Sequence, residues 1–401
     1  MSEVKQEAAT KGNVTEVFKT FLKLGLTSFG GPIAHIGYFR KEIIERQGWV
    51  SESQFSQLLA ICQFIPGPAS SQLGFSLGLL RAGWLGAIAA FIAFTLPSVI
   101  MLLAFALALP VLDGHIGESA IHGLKLVACA VVADAVLSMS KKLCPDIYRQ
   151  SLAVLAACAL LLMGSVWAQI LVVCGGAIAG MVCCRESAQA VDNHTQVTYG
   201  KRLGLVLLAM FLFLLLALGV GPEKEGLYSV AQAFYNAGAM VFGGGHVVLP
   251  LLEDSVVATG WVSNESFLAG YGAAQAIPGP MFAFSAYLGA IIPTEHGSWL
   301  VALVALTFMF LPGFLLVAAV LPLWQAISVN PIAVNAIAGV NAVVVGILGA
   351  ALYDPILTSG ITSGSDLAIA LVALGMLTIW RLSPLYVVVW CLFASVLSAL
   401  L

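Results

Sequence analysis

Apolar runs too long for a soluble core constrain this chain more than any other feature. Leu203 to Val220 reads without a charge, and residues 84–109, 367–380 and 385–401 do the same. A helix rises about 1.5 Å per residue, so about 20 such residues cover the hydrocarbon thickness of a bilayer. Charged residues make up only 9% of the 401, too few to cover a soluble surface of that size. A membrane β-barrel would show short alternating segments instead, and none are present. The expected class is an all-α polytopic membrane protein. The first thirteen residues carry Glu3, Lys5, Glu7 and Lys11 with no apolar stretch directly behind them. That pattern argues against a signal peptide and reads as a short cytoplasmic tail.

The chain also repeats itself. Phe29-Gly30-Gly31-Pro32, His35, Gly48-Trp49-Val50-Ser51, Phe55, Gln63 and Pro66-Gly67-Pro68 are answered later in the chain. The answering residues are Phe242-Gly243-Gly244-Gly245, His246, Gly260-Trp261-Val262-Ser263, Phe267, Gln275 and Pro278-Gly279-Pro280. From the Gly-Trp pair to the Pro-Gly-Pro element the offset is a constant 212 residues. Fainter matches follow: Trp84 and Leu96-Pro97 with Trp299 and Leu311-Pro312, and Ala120–Gly123 with Ala336–Gly339. Residues 14–184 and 227–401 are therefore expected to be two copies of one unit. A polar linker (185–202) and one further apolar segment (203–220) lie between them.

That extra segment turns the second unit upside down if each unit crosses the membrane an even number of times. Basic residues agree, since cytoplasmic loops hold the Lys/Arg excess. Fifteen of the 17 Lys and Arg lie in residues 1–202. The Arg40/Lys41/Arg46 loop corresponds to a loop around Glu253 and Asp254 with no basic residue. The Lys141/Lys142/Arg149 loop corresponds to 353–366, again with none. Inverted-topology repeats follow, with the N-terminus cytoplasmic and the C-terminus external, an architecture frequent in secondary transporters.

Within each unit the repeated blocks read as broken helices. Residues 14–28 meet Gly30-Gly31-Pro32, and the basic segment 40–46 follows too soon for a second crossing. Residues 53–65 meet Pro66-Gly67-Pro68, and 69–80 lead out to Arg81. Two re-entrant helical hairpins per unit are expected, then long spans (84–109, 117–140) and a short hairpin (151–184). Gly and Pro break helices for separate reasons: one admits backbone angles others resist, the other lacks an N–H. With Pro68 and Pro280 at the first helical position, the following N–H groups are free to face an anion at a helix N-terminus. Ser70 and Ser71 add hydroxyl donors in the first unit, and Ser285 is the nearest in the second. Irregular backbone at this depth must be buried or line a cavity. Gly and Pro also serve simple packing in membrane helices, so this assignment rests on the doubling.

Ionisable groups at membrane depth are the other candidates. Lys125 and Asp134 share the 117–140 span and are too far apart to pair on one helix. Lys125 aligns with Asn341, so its charge belongs to one unit; it is placed either to attract a dianion or to snorkel. His35 and His246 follow the glycine breaks and titrate near neutrality, which suits proton coupling or a hydrogen bond closing a hairpin tip. Arg81 reads as an interfacial anchor. The eight cysteines, Cys183–Cys184 included, lack zinc-ligand spacing and mostly sit in apolar stretches as small hydrophobes. No nucleophile–base set, Gly-Lys-Ser/Thr phosphate loop or His-Glu-x-x-His element occurs. Neither an enzyme, a cofactor, a metal site nor a nucleic-acid partner is expected.

The paired Phe-Gly-Gly-Pro…Gly-Trp-Val-Ser…Gln-x-x-Pro-Gly-Pro blocks resemble those of the chromate ion transporter family, in its long form with two homologous domains. The resemblance covers nearly the whole chain from about residue 14. It implies export of chromate from the bacterial cytoplasm across the inner membrane, driven by the proton-motive force. Sulfate, a tetrahedral dianion of similar size, is the natural competitor; a homodimer is left open. Carried over by motif, the substrate-binding residues are Gly30, Gly31, Pro32, His35, Gln63, Pro66, Gly67 and Pro68. Gly243, Gly244, Gly245, His246, Gln275, Pro278, Gly279 and Pro280 are their counterparts; Ser70, Ser71 and Lys125 join them on the residues alone. Gly245 stands where the first unit has Pro32, so the half-sites are not equivalent. Competing functions are transport of sulfate or another oxyanion, a thiol redox enzyme acting through the cysteines, and a scaffold without transport.

Overall fold

A computed structural model describes residues 12–29, 31–109, 114–163, 166–184, 197–219, 226–242, 248–324, 327 and 330–400. Those residues are helical, without strands. The first unit holds α1 (Val14–Thr27), α2 (Gly31–Phe39), α3 (Glu52–Phe64), α4 (Ala69–Ala108), α5 (His115–Leu143), α6 (Ile147–Met163) and α7 (Val166–Cys183). After α8 (Lys201–Gly219), the second holds α9 (Leu227–Ala239), α10 (Val248–Val256), α11 (Asn264–Ala276), α12 (Phe284–Ile291) and α13 (Ser298–Val320). It closes with α14 (Pro331–Ala351), α15 (Gly364–Thr378) and α16 (Pro384–Leu400). Among the described residues, five helices are long and apolar enough to cross a bilayer: α4, α5, α8, α13 and α14 with their extensions.

The doubled motif is a doubled backbone. Gly48 and Gly260 take φ of +61° and +79°, the left-handed region open to glycine, and turn the chain into α3 and α11. Ser51 and Ser263, three residues after those glycines, cap the helices by accepting from Gln54 and Ser266 N–H. Gly67 and Gly279, at the centres of the Pro-Gly-Pro elements, also have positive φ, +126° and +101°.

The helices fold into hairpins about these breaks. Across the first, Phe21 meets Phe39 edge-on at 5.5 Å, Lys23 pairs with Glu42 at 2.9 Å, and Trp49 Nε1 donates to Glu16 at 3.1 Å. Residues on the two sides of the break meet, as near as Phe21 with Phe39 and as far as Glu16 with Trp49, so the chain doubles back. In the second unit, Phe267 and Phe284 meet at 5.4 Å and Tyr287 Oη donates to the Ser266 carbonyl at 2.8 Å. Helix α4 is itself two arms. Ala82 and Gly83 leave helical angles, and Gly78 then lies against Gly86 with no room for a Cβ on either.

Segments expected as loops prove more helical. Residues 40–46 continue α2 as a wide helical turn, Lys141 and Lys142 occupy the last turn of α5, and Glu253 and Asp254 lie in α10. Charged side chains one helical turn apart meet, as Arg46 and Glu42 do at 2.9 Å, so a polar composition is compatible with continued helix.

The two units exchange contacts reciprocally. Gly67 N–H donates to the Val241 carbonyl at 2.7 Å, and Gly279 N–H donates to the Ser28 carbonyl at 2.9 Å. Helices α6 and α7 pack on α14, while their counterparts α15 and α16 pack on α5. Gly339 of α14 abuts Gly176 and Gly180, and the aligned Gly123 of α5 abuts Cys391 and Leu392. Contact of i with j′ and of j with i′ is what a two-fold relation produces. Helix α8 stands outside this exchange, against α13 and α9; most of its side chains are exposed, as suits a lipid-facing helix.

Candidate functional site

Each Pro-Gly-Pro break is buried where the two units meet. Gly67 leaves no space for a Cβ, which would lie 2.6 Å from Gln72 Nε2 and 3.0 Å from Gly313 Cα. Gln72, fully buried, donates from Nε2 to the Pro66 carbonyl at 2.9 Å and to the Gly313 carbonyl at 3.0 Å. In the mirrored position Ser98 Oγ donates to the Pro278 carbonyl at 2.7 Å, and a Cβ on Gly279 would strike Ser98. Each break is thus stitched to the other unit.

Helix starts differ from the expectation. Pro68 is the cap before α4, not its first residue, and Pro280 precedes a short 3₁₀ turn (Met281–Ala283) ahead of α12. In both cases the proline closes a break stitched across the interface, and that stitching sets the start one residue later. The amides of Ala69, Ser70 and Ser71 precede the first bond of α4, which runs from Gln72 N–H to the Pro68 carbonyl at 2.9 Å.

Around that helix start sits a buried polar group. His35 is 1% exposed, hydrogen-bonds to the Ser28 backbone, and has Nδ1 3.5 Å from Ser70 Oγ. Its ring meets Phe94 edge-on at 5.4 Å. The hydroxyls of Ser28, Ser71 and Thr95 are buried without a hydrogen-bond partner among the described residues. Unpaired buried polar atoms are uncommon and call for an explanation.

A cavity of about 380 Å³ reaches this point from one side. Ile36, Gln63, Gly67 and Ala69 line it beside the break, Ala60 of α3 and Asn341 of α14 also line it, and Lys142 and Arg149 do so at the α5–α6 connection. Arg149 pairs with Asp146 at 2.7 Å. Backbone and side-chain bonds from Arg149 hold the Asp146 carboxyl below its ordinary range, so it stays ionised. Lys142, exposed, has no ion-pair partner among the described residues. Asn341 makes no hydrogen bond among them, and its Oδ1 is shielded.

The mirrored gap is closed. Gly272 of α11, counterpart of Ala60, lies so close to the Leu124 carbonyl of α5 that a Cβ would not fit. Lys125 Nζ, counterpart of Asn341, binds Glu265 Oε1 at 2.7 Å across the same junction. Gln275 is buried and donates to Met281 Sδ at 3.3 Å, whereas Gln63 is exposed to the cavity. The structure therefore brings together Gly67, Pro68, His35, Ser70, Ser71 and the cavity-lining Gln63. It sets Lys125 apart, paired at the other junction. Arg81 binds Glu16 at 3.0 Å and stacks over Trp49 at 5.3 Å, an anchor for the first hairpin. Gly31 opens α2 at φ +77°. Gly30, Gly243, Gly244, Gly245 and His246 lie outside the described residues, as does the Pro32 side chain.

Sequence reasoning passed over several residues. Asn341 was seen only as the partner position of Lys125, Lys142 and Arg149 only as topology markers, and Glu265 not at all. A second cavity, about 240 Å³, is lined by Glu253, Asp254, Asp354 and Gln169, with Gln169 donating to Asp254. Asp354 is a hundred residues from the adjacent Glu253 and Asp254, so no local pattern announces the group.

Comparison with known proteins places these features in a family. The chromate transporter family matches twice, over residues 15–181 and 228–396. A probable chromate transport protein of Synechococcus elongatus is 27% identical over 385 residues, 94% of each chain. The chromate transport protein of Pseudomonas aeruginosa is 27% identical over 352 residues, covering 84% of this chain and 80% of its own. The uncharacterized transporter YwrA of Bacillus subtilis is 28% identical over 130 residues, which are 32% of this chain and 71% of its own. No solved structure matches.

Proposed function

The chain belongs to the chromate transporter family, and from that premise we propose that it carries chromate out of the bacterial cytoplasm across the inner membrane. The observation that carries this is the one-sided cavity, which runs from Lys142 and Arg149 to the first Pro-Gly-Pro break while its mirror image is closed. A carrier needs such a state: site open to one face, sealed from the other. Rocking of one unit against the other about the stitched breaks then exchanges the open and closed junctions. The units are oppositely oriented in this proposal, with the basic ends of α5 and α6 cytoplasmic. A cysteine at Pro145 is expected to react from the cytoplasm and one at the exposed Tyr353 only from outside; both reacting from one side would refute the inversion.

Cations at the mouth raise the local concentration of a dianion, an effect that salt screens. Lys142→Gln is expected to raise the apparent KM for chromate about three- to tenfold at low ionic strength, with the difference shrinking in salt. Proton coupling is assigned to the cavity of Glu253, Asp254 and Asp354, where no basic residue lines the wall among the described residues. Crowded carboxylates favour holding a proton, and release accompanies a change in their exposure. His35, sealed between Ser70 and Phe94, has no such access.

Uptake of radiolabelled chromate by inverted membrane vesicles under an imposed pH gradient tests the function, with sulfate as competitor. Saturable chromate uptake is expected; sulfate uptake without chromate uptake would reassign the substrate, and neither would sink transport. Replacing all eight cysteines by Ala or Ser is expected to leave uptake within about twofold, because five of them are buried packing residues. Lost activity in a folded cysteine-free protein would favour thiol redox chemistry instead.

A further inference from the structure

The two half-sites share a backbone and differ in what lines it. Ala69-Ser70-Ser71-Gln72 follows the first Pro-Gly-Pro, and Met281-Phe282-Ala283-Phe284 follows the second. Val241 stands at the position of Ser28, since each carbonyl receives the opposing glycine N–H. Phe310 stands at the position of Thr95, two residues before the matching prolines.

The consequences are visible in the packing. In the second unit Phe282 lies against Phe310 at 5.9 Å and Phe284 against Phe267 at 5.4 Å, all four buried. Among the described residues there, Ser285 Oγ donates to the Phe282 carbonyl at 2.8 Å, and the Gln275 amide donates to Met281. In the first unit the hydroxyls of Ser28 and Ser71 are buried, 0% and 3% exposed by residue, and have no partner among the described residues. His35 ties the two segments together, bonding to the Ser28 backbone and lying beside Ser70 Oγ, and Ser71 follows Ser70 in the first turn of α4. The cavity reaches Ile36 and Ala69, the chain neighbours of His35 and Ser70. An oxyanion needs donors in place of its water, and unpaired hydroxyls with the free amides of a helix start supply them.

Resting on the assignment of the chain as an oxyanion carrier, we propose that a single ion binds per chain, in the first half only. Its donors are Ser28, Ser71 and the amides that open α4. The second half-site, filled by Phe282, Phe284 and Phe310, binds no ion and serves as the packed surface against which the first opens and closes. Duplication thus gives one site and one gate.

Equilibrium binding of radiolabelled chromate, and separately of sulfate, to the purified full chain tests this. One ion per chain is expected for the wild type. Ser28→Ala/Ser71→Ala is expected to weaken binding about ten- to hundredfold, the usual consequence of losing donors to a charge. Its thermal stability is expected to hold or rise, because the deleted hydroxyls have no protein partner; a merely structural pair would show the opposite. Ser285→Ala is expected to bind within about twofold of wild type, its hydroxyl being engaged by its own helix. Two ions per chain, or unchanged affinity in the first-half variant, would overturn the single-site assignment while leaving the chain an oxyanion binder. Wild type that binds neither chromate nor sulfate would overturn both.

Discussion

Gly67→Leu is expected to abolish transport while the protein still inserts in the membrane. Gly67 holds φ at +126°, where any other residue is strained, and its missing Cβ is what lets Gln72 and Gly313 close on it. The strain costs about 1–3 kcal/mol and overpacking a similar amount again. At about 1.4 kcal/mol per tenfold, that sum removes about one and a half to four orders of magnitude from a state that needs this contact. The bond from Gly67 N–H to the Val241 carbonyl, 2.7 Å, joins the two units. Displacing it unseats the pivot, so chromate flux is lost even where the protein remains monodisperse. Gly67→Ala keeps the backbone strain with less bulk and is expected to retain about 1–10% of flux. Vesicle uptake normalised to protein in the membrane measures both, and normal flux in Gly67→Leu would leave the break a packing feature only.

The second large effect concerns the closed junction. Lys125 and Glu265 meet at 2.7 Å, with the lysine side chain 13% exposed and the glutamate 64%. A pair so open on one side is worth only about 1 kcal/mol. Reversing one charge does more than delete it, since Lys125→Glu sets a mostly buried carboxylate against Glu265 and drives α11 from α5. Flux is expected to fall about tenfold or more, because a carrier that cannot seal one face cannot alternate. The exchanged pair, Lys125→Glu with Glu265→Lys, restores attraction and is expected to recover flux to within about threefold of wild type. Recovery identifies a contact that must form during turnover. Failure of the exchange, with both proteins folded, would instead assign Lys125 a direct part in attracting the ion.

The sequence displayed the class of this fold, and the reason lies in its length scales. Apolar runs such as 203–220 and 84–109 report the bilayer directly, and α8 and the second arm of α4 occupy them. The repeated motif was equally legible, because Gly48, Ser51 and Gly67 fix backbone angles and caps that their copies at Gly260, Ser263 and Gly279 fix again. What escaped was everything decided between elements. The ion pair of Lys125 with Glu265 spans 140 residues, and the cavity joins α3 to α14 across the chain. A register of hydrophobicity carries no record of which helix faces which.

Half-site inequality lay in plain view at Ser70-Ser71 against Phe282-Ala283. Read as sequence, those residues are a loss of two hydroxyls. Only the burial of Ser28 and Ser71 without partners, beside a cavity, gives the difference a chemical meaning. Polar residues in apolar helices are ambiguous until their partners, or the want of them, are known.

The route itself is most directly tested at Ile337, which lines the cavity on α14 opposite α3. In a protein lacking the native cysteines, Ile337→Cys is exposed to a membrane-impermeant thiol reagent in inside-out and right-side-out vesicles. Reaction from the cytoplasmic face, slowed severalfold by chromate, is the predicted result. Reaction only from the outer face, or a rate indifferent to chromate, would contradict a chromate path through the cavity at the first Pro-Gly-Pro break.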